Sequence, residues 1–243
     1  MLTGFILLIL CAYLLGSVPT AYLIARWRRK IDIRQYGSGN TGAANVLTVV
    51  SKRWSIPVTI FDIGKGALTV WIAQLLGLGA AQQVTVGIAT VVGHNWPVFL
   101  RFQGGRGIFT SLGIITMLSW KLGLIGMVMS YALAPFRLLA LGVTLTLSIL
   151  PFFSWFLSQP LGIEERLPIT LGFAALALIA VTRRLTTPRT PLSESVPMRQ
   201  LIINRLLFDR DIKDRKAWIR QARTRATSTE QPFEQEEDQG SID

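Results

Sequence analysis

Cysteine and histidine are almost absent from this sequence. The 243 residues include one cysteine, Cys11, in an apolar stretch, and one histidine, His94. A lone cysteine cannot form an intrachain disulfide or a cysteine metal cluster, and a lone histidine cannot build the usual multi-histidine zinc site. The sequence therefore predicts neither a disulfide framework nor a metal centre.

Charged side chains are also scarce, and they are unevenly placed. They make up 16% of the chain, 50% of the residues are hydrophobic and the mean hydropathy is +0.43, which is too apolar for a soluble domain of this size. The net charge of +11 would suit nucleic-acid binding, but 12 of the 25 Lys and Arg follow residue 182 and seven lie between Arg26 and Arg53. Basic clusters beside apolar runs are typical of cytosolic membrane faces and of contacts with anionic headgroups. The composition thus predicts a membrane protein that contacts lipid and binds no nucleic acid.

Long apolar runs predict an all-α polytopic membrane protein of about seven transmembrane helices with glycine-rich cytosolic loops. The first run carries its basic residues after the apolar stretch, the reverse of a secretory signal, so we expect a retained helix. Residues 107–136 could instead form one helix interrupted by Lys121. That alternative would send Arg183 and Arg184 outside, so the positive-inside rule favours seven spans in the cell membrane, with the N-terminus outside and the C-terminus cytosolic. The runs cover residues 2–25, 54–77, 82–100, 107–120, 122–136, 138–158 and 168–182.

The composition changes near residue 185, which predicts a transmembrane domain at 1–185 and a cytosolic tail at 186–243. Three prolines between 187 and 197 indicate a linker. Residues 199–226 carry nine Lys and Arg among regularly spaced apolar positions, which suits either an amphipathic helix on an anionic membrane or a solvated segment. The last residues, 228–243, are acidic and predicted to be disordered.

Residues 36–45 form the first of two glycine-rich segments. Glycines let backbone N–H groups turn toward an anion, and a helix N-terminus that follows adds positive potential. The spacing matches the dinucleotide pattern G-x-G-x-x-G, but no buried strand precedes it and no room remains for a βαβ unit. A plain turn between helices is the alternative. We favour a polar-ligand site because hydrogen-bonding side chains accompany the glycines, namely Ser38, Asn40, Thr41 and Asn45.

The second glycine-rich segment runs from His94 to Thr110 and surrounds one cation, Arg106, with glycines. A guanidinium in a glycine nest is suited to clamping a phosphate. The alternatives are a topology anchor for Arg106 and a buried, hydrogen-bonded histidine at a helix end for His94.

Asp62 and Lys65 lie three residues apart inside a predicted span. Charges within a bilayer are costly, so both side chains should face the bundle interior. They could pair with each other, or Lys65 could reach an anionic ligand.

Together these segments resemble a known family, the bacterial acyl-phosphate:glycerol-3-phosphate acyltransferases. The resemblance covers roughly residues 5–120 and rests on GSGNTGAAN at 37–45, GHNWPVFLRFQGGRG at 93–107, and Asp62 with Lys65-Gly66 between them. It implies a polytopic enzyme that transfers a fatty acyl group from acyl phosphate to the 1-hydroxyl of glycerol 3-phosphate, giving lysophosphatidic acid for phospholipid synthesis. It also implies no metal and no coenzyme A or other cofactor. The enzyme that produces acyl phosphate is a further candidate partner.

The resemblance implies roles only for the matched positions. Catalytic groups would be Ser38, Asn40, Asn45 and Arg106. Substrate binding would fall to Gly37, Gly39, Gly42, Lys65, His94, Gly104, Gly105, Gly107 and Thr110. Because acyl phosphate is already activated, such an enzyme mainly has to align two substrates and offset the charge on phosphate oxygens.

Some positions depart from the family pattern. The family has Thr where this chain has Ala44, Arg where it has Thr48, and Lys where it has Arg106. A third motif, a His and an Asn followed by Arg-Leu just after the last span, is missing from that place, and Asn204-Arg205-Leu206 comes much later. An active acyltransferase and a degenerate paralogue that binds phospholipid precursors or regulates a true enzyme therefore both stay open. A transporter is disfavoured because intramembrane charges are few and no inverted repeat is evident.

Overall fold

The computed structural model describes residues 2–187, 189, 193, 194, 196–214 and 217. Those residues form helices, loops and two short 3₁₀ turns, Ile33–Gln35 and Val98–Leu100, with no β-strand among them. The helices are α1 (Leu2–Gly16), α2 (Thr20–Arg29), α3 (Ala43–Val49), α4 (Lys52–Leu75), α5 (Ala80–Asn95), α6 (Ile108–Leu118), α7 (Trp120–Ala132), α8 (Leu139–Phe156), α9 (Ser158–Leu161), α10 (Arg166–Leu185) and α11 (Met198–Phe208).

Four helical stretches are long and apolar enough to cross a membrane: 2–29 (α1 with α2), α4, α8 and α10. Their outer faces expose large apolar side chains such as Leu7, Ile60 and Leu178, as expected of helices that contact lipid. The protein is therefore an all-α, multi-pass membrane protein. Each of the predicted apolar runs contains a helix, but α5, α6 and α7 have only 16, 11 and 13 residues. The count of seven spans stays a prediction.

The chain breaks within residues 107–136. Ser119 is extended (φ −157°, ψ 100°) and separates α6 from α7, so the described structure has two helices there instead of one. Gly123 of α7 packs directly against Thr116 of α6, so closely that a Cβ atom at Gly123 would overlap Thr116. The two short helices therefore double back on each other.

Glycines bring two pairs of helices into backbone contact. Gly66 on α4 lies against the carbonyl of Thr110 on α6, and Gly93 on α5 lies against the carbonyl of Tyr13 on α1. A Cβ atom at either glycine would overlap the neighbouring backbone. Such small-residue contacts substitute in a bilayer for the hydrophobic drive that lipid removes. They hold the start of α6 against α4 and the end of α5 against α1. The glycine-rich segment between α5 and α6 is therefore fixed at both of its ends.

The segment after α10 returns to the bundle. α11 packs against α8 and α10, and Leu201, Asn204 and Arg205 are buried. The helix ends at Phe208, well before the end of the predicted basic segment at 226. The domain boundary at 185 stays a prediction. Residues 215, 216 and 218–226 of that segment, together with the acidic end at 228–243, lie outside the described residues.

Candidate active site

Asn45 organises the first glycine-rich segment. It is buried on the first turn of α3, and its side chain bonds only to the backbone of the preceding loop. Its Oδ1 accepts a hydrogen bond from the Ser38 N–H (3.1 Å). Its Nδ2 donates to the carbonyls of Ile33 (3.2 Å), Tyr36 (3.0 Å) and Asn40 (3.0 Å). One amide thus sets the path of the whole loop.

Two glycines make that path possible. Gly37 and Gly39 have φ of +59° and +67°, in the left-handed region that side chains disfavour. Gly37 also lies against Asn45 Oδ1, where a Cβ would overlap it. As a result the polar groups of Ser38 and Asn40 lie side by side, with the Asn40 N–H donating to Ser38 Oγ at 3.4 Å.

The second segment folds back onto the end of α5. The N–H groups of Gly105 and Gly104 donate to the carbonyls of His94 (3.0 Å) and Asn95 (3.2 Å). From the end of α10, Arg183 donates to the carbonyls of Gly105 and Gly104, both at 3.1 Å. The nest around Arg106 is therefore fixed on both sides.

Arg34 connects the two segments. Its guanidinium donates to the carbonyl of Leu100 (3.3 Å), just before the second nest, and pairs with Asp32. The bond from Arg34 lowers the pKa of the Asp32 carboxyl from its ordinary value, despite partial burial. This contact holds the first loop beside the second.

A buried charged triad lies behind the loops. Lys65 Nζ contacts Asp62 Oδ1 at 2.9 Å, His94 Nδ1 at 2.8 Å and the carbonyl of Gly16 at 3.1 Å. Asp62 Oδ1 lies 3.5 Å from His94 Nδ1. Of the two roles that the sequence left open for Lys65, the structure shows the ion pair, in which its ammonium contacts three protein groups.

Arginines from two helices, α10 and α11, gather around Arg106. Arg184 on α10 and Arg205 on α11 lie close enough that, after burial itself, they are the main causes lowering the pKa of Arg106 to about 9. The Asp209 carboxylate pairs with both Arg106 and Arg184. Arg106 remains protonated at neutral pH, so this end of the site carries positive charge.

The two loops and the arginines border one cavity of about 490 Å³. Its polar end includes Ser38, Asn45, Arg106 and Arg184. From there it continues as an apolar groove between α6, α7 and α8, lined by Leu112, Ile115, Leu122, Gly123, Gly126, Met127, Val143, Leu147 and Leu150. A cationic pocket that opens into an apolar groove can hold a molecule with a phosphate at one end and a hydrocarbon chain at the other.

Comparison with known proteins agrees with this geometry. The family described as glycerol-3-phosphate acyltransferase matches residues 6–189. This chain belongs to the glycerol-3-phosphate acyltransferase family. It is 46% identical to glycerol-3-phosphate acyltransferase 5 of Dehalococcoides mccartyi strain 195, over 94% of this chain and 97% of that protein. It is 45% identical to glycerol-3-phosphate acyltransferase 4 of strain CBDB1, over 88% and 93%.

The fold resembles that of PlsY (YgiH), an integral membrane glycerol 3-phosphate acyltransferase. The crystal structure of its glycerol 3-phosphate form aligns with a TM-score of 0.71 and 25% identity, over 88% of this chain and 97% of that chain. Its lysophosphatidic acid form aligns with a TM-score of 0.68 and 25% identity, over 89% and 98%.

The candidate residues of this family member divide into three groups. Those that line the cavity are Ser38, Asn40, Gly42, Asn45, His94, Arg106 and Gly107. Gly37, Gly39, Gly104 and Gly105 shape the loop backbone, while Lys65 and Thr110 are buried behind the wall. The two segments that lie apart in the sequence therefore do meet at one cavity.

Residues of the tail reach this site, which the sequence did not predict. Arg205 donates to the carbonyls of Leu185 (2.8 Å) and Thr187 (2.6 Å), and pairs with Asp211 (2.8 Å). Asn204 donates to the Asp211 carbonyl at 3.0 Å. The sequence Asn-Arg-Leu at 204–206 resembles part of the third family motif and could have indicated this contact. It lies far beyond the end of α10, however, so the sequence alone does not assign it to that motif. In the structure α11 returns them to the arginines of this acyltransferase-family site.

Proposed function

We propose that the protein transfers a fatty acyl group from acyl phosphate to the 1-hydroxyl of glycerol 3-phosphate, giving lysophosphatidic acid and inorganic phosphate. The observation that carries this proposal is the single cavity in which both glycine-rich segments meet, cationic at one end and apolar along the rest. Family membership and the PlsY fold support the same reaction. The proposed reaction uses neither a metal nor coenzyme A, because acyl phosphate is already an activated acyl donor.

Arg106 is the proposed phosphate clamp. Its neighbours Gly105 and Gly107 let the backbone approach closely, and Arg183 holds the nest in place through its carbonyls. In acyl transfer the carbonyl carbon gains a bond to the hydroxyl oxygen and loses its bond to the phosphate oxygen, and the hydroxyl proton ends on the inorganic phosphate that is released. Negative charge then builds on the departing phosphate, where a fixed guanidinium stabilises it.

Ser38 and Asn40 are the proposed polar contacts for the substrates. Both lie at the cavity surface, with Asn45 holding the loop beneath them. We assign Asn45 a positioning role because its amide is engaged by loop backbone. Alignment of hydroxyl and carbonyl is the main requirement when the acyl donor is already activated.

Arg184 supplies the positive charge that is missing at Thr48, where the family pattern has an arginine. Thr48 and Arg184 line the same cavity, so a cation is available there from α10. Arg53 is exposed near the start of α4 and does not serve this role. The arginines of the site favour an active enzyme over a degenerate paralogue.

The apolar groove is the proposed acyl-chain site. Along α8 it extends from Ala140, beside Arg184, to Leu150. At 1.5 Å per helical residue this is roughly 15 Å, the length of about 12 methylenes. A long-chain acyl group can therefore lie between α7 and α8 while its phosphate contacts Arg106.

We further propose that the site faces the cytosol at the cell membrane, with the N-terminus outside. The clustering of Lys and Arg beside the two loops supports this orientation. In this arrangement residues 1–185 form the acyltransferase domain, and the tail from 186 adds α11 to it on the cytosolic side.

The test is an acyl-transfer assay on purified protein in detergent and in lipid. Palmitoyl phosphate with radiolabelled glycerol 3-phosphate should give labelled lysophosphatidic acid and an equal amount of inorganic phosphate. Palmitoyl-coenzyme A is the matched control and should give no product. If palmitoyl phosphate yields no lysophosphatidic acid in either environment, the proposed reaction is wrong.

A further inference from the structure

Asp209 projects a carboxylate of the protein itself onto the cationic end of the cavity. It follows the last residue of α11 and has φ +59°, a left-handed conformation that aspartate tolerates better than most residues. Its carboxylate pairs with Arg106 and lies 3.0 Å from Arg184 Nε. Arg106 also donates to the Asp209 carbonyl at 3.3 Å.

Asp209 is the most exposed member of this cluster, although its Oδ1 atom, which faces the two arginines, is buried. The Asp209 side chain is 27% exposed, while Arg106 and Arg184 are 7% and 4% exposed. Asp209 thus lies over the two guanidiniums, between them and the surrounding space. We call Arg106 and Arg184 the arginine pair.

The rest of α11 is anchored independently of Asp209. Arg205 bonds to the carbonyls that end α10 and pairs with Asp211. Asn204 bonds to the Asp211 carbonyl. The Asp209 side chain can therefore turn away from the arginine pair while α11 keeps its place on the bundle.

We propose that Asp209 is a competing internal anion, which the substrate phosphate must displace from the arginine pair. A carboxylate carries one negative charge, whereas a phosphate monoester carries between one and two and offers three acceptor oxygens. A phosphate dianion therefore binds two guanidiniums more strongly than the single carboxylate of Asp209 does, and can displace it. This inference rests on the proposed function, which identifies the substrate phosphate as the ligand that displaces Asp209.

The test compares the parent with Asp209→Asn and Asp209→Gly. Asparagine and glycine both accept the left-handed conformation, so each removes the charge without straining the backbone. The matched control is Asp214→Asn, which removes the same charge from the same segment at an exposed position whose Oδ1 bond from Ala217 an asparagine can keep. Inorganic phosphate and formate serve as dianion and monoanion probes, with binding measured by calorimetry in detergent.

Both Asp209 variants should bind inorganic phosphate about 2- to 5-fold more tightly than the parent, the range of a partly exposed ion pair. Formate binding should improve by a similar factor, because displacing Asp209 costs every anion the same free energy. In the Asp209 variants the KM for acyl phosphate should fall by a factor similar to that of the phosphate dissociation constant. The kcat should change less. Asp214→Asn should match the parent in each measurement.

The proposal is overturned if folded Asp209 variants bind both probes with the parent's affinity, or more weakly. Weaker binding would mean that Asp209 orients the arginine pair for the ligand. If no protein transfers acyl groups but the Asp209 variants still bind phosphate more tightly, the reaction is wrong and the competing anion stands. If acyl transfer is normal and the variants share the parent's KM and phosphate affinity, only the Asp209 proposal fails.

Discussion

Lys65 and His94, which lie 29 residues apart in the sequence, are joined by a 2.8 Å contact between Nζ and Nδ1. The contact links α4 to α5 immediately behind the second glycine nest. Asp62 balances the lysine charge, so a cation and an anion are buried together inside the bundle. The arrangement has a direct consequence for stability.

Removing one member of that pair should destabilise the protein more than removing both. Lys65→Met leaves Asp62 as an unpaired buried charge and should cost about 3–5 kcal/mol of unfolding free energy, and Asp62→Leu should cost a similar amount. The double variant leaves no uncompensated charge and should recover much of the loss. Thermal unfolding in detergent measures all three. A double variant as unstable as the sum of the single variants would show that the pair has no such coupling.

Arg106 should be the position most sensitive for turnover. Arg106→Ala removes a guanidinium from a phosphate and should lower kcat/KM by roughly 30- to 1,000-fold, or about 2–4 kcal/mol in the transition state. Arg106→Lys restores the family residue and should keep substantial activity. The matched control is Arg101→Ala, an exposed arginine that lies outside the cavity lining and should leave kcat/KM near the parent value. Equal losses at positions 101 and 106 would argue against the phosphate clamp.

Asn45 and Asn40 should respond differently to alanine. Asn45→Ala removes the donor for several loop carbonyls, at about 1 kcal/mol per bond, and should lower both the melting temperature and turnover. Asn40→Ala leaves those bonds in place, because the Asn40 backbone carbonyl is the group involved, so it should lower turnover with little change in melting temperature. If Asn45→Ala kept the parent's melting temperature, the organising role of Asn45 would be wrong.

Gly126 should set the acyl-chain length that the groove accepts. A Cβ there would lie 3.5 Å from Thr146 Cγ2 and 3.6 Å from Leu150 Cδ1, so Gly126→Ala fits and serves as the control. Gly126→Leu would fill the groove, raising the KM for palmitoyl phosphate about tenfold or more. Decanoyl phosphate should be affected much less. Equal effects on both donors would place the acyl chain elsewhere.

The predicted topology can be tested by cysteine labelling in a Cys11→Ser background. Single cysteines at Lys121 and Gln159 should react with an impermeant reagent added outside the cell. Cysteines at Lys52 and Lys213 should react only after permeabilisation, because they belong to the basic cytosolic side. External labelling at Lys213 would contradict the seven-span topology.

The membrane class and the position of each apolar helix could be predicted from the sequence. Lipid exposure requires long apolar runs and internally bonded backbone, so composition alone identifies helices such as α4 and α10. The two glycine-rich segments were also recognisable, because positive φ at Gly37 and Gly39 is a local property of the chain. Whether α6 and α7 were one helix or two depended on Ser119, a residue with no distinctive local signal.

The tertiary structure alone decided which residues complete the site. Arg106 and Asp209 pair across 103 residues of sequence, and Arg205 reaches back 20 residues to the end of α10. The entropy of closing a loop grows only slowly with its length, so sequence separation says little about which distant segments meet. What brings α11 onto the bundle is the burial of Leu201 and the hydrogen bonds from Arg205 to the carbonyls of Leu185 and Thr187, contacts that exist only once α8 and α10 are in place. The sequence determined the helices and the glycine loops because each is a property of neighbouring residues, whereas the arginine pair and its carboxylate depend on long-range packing.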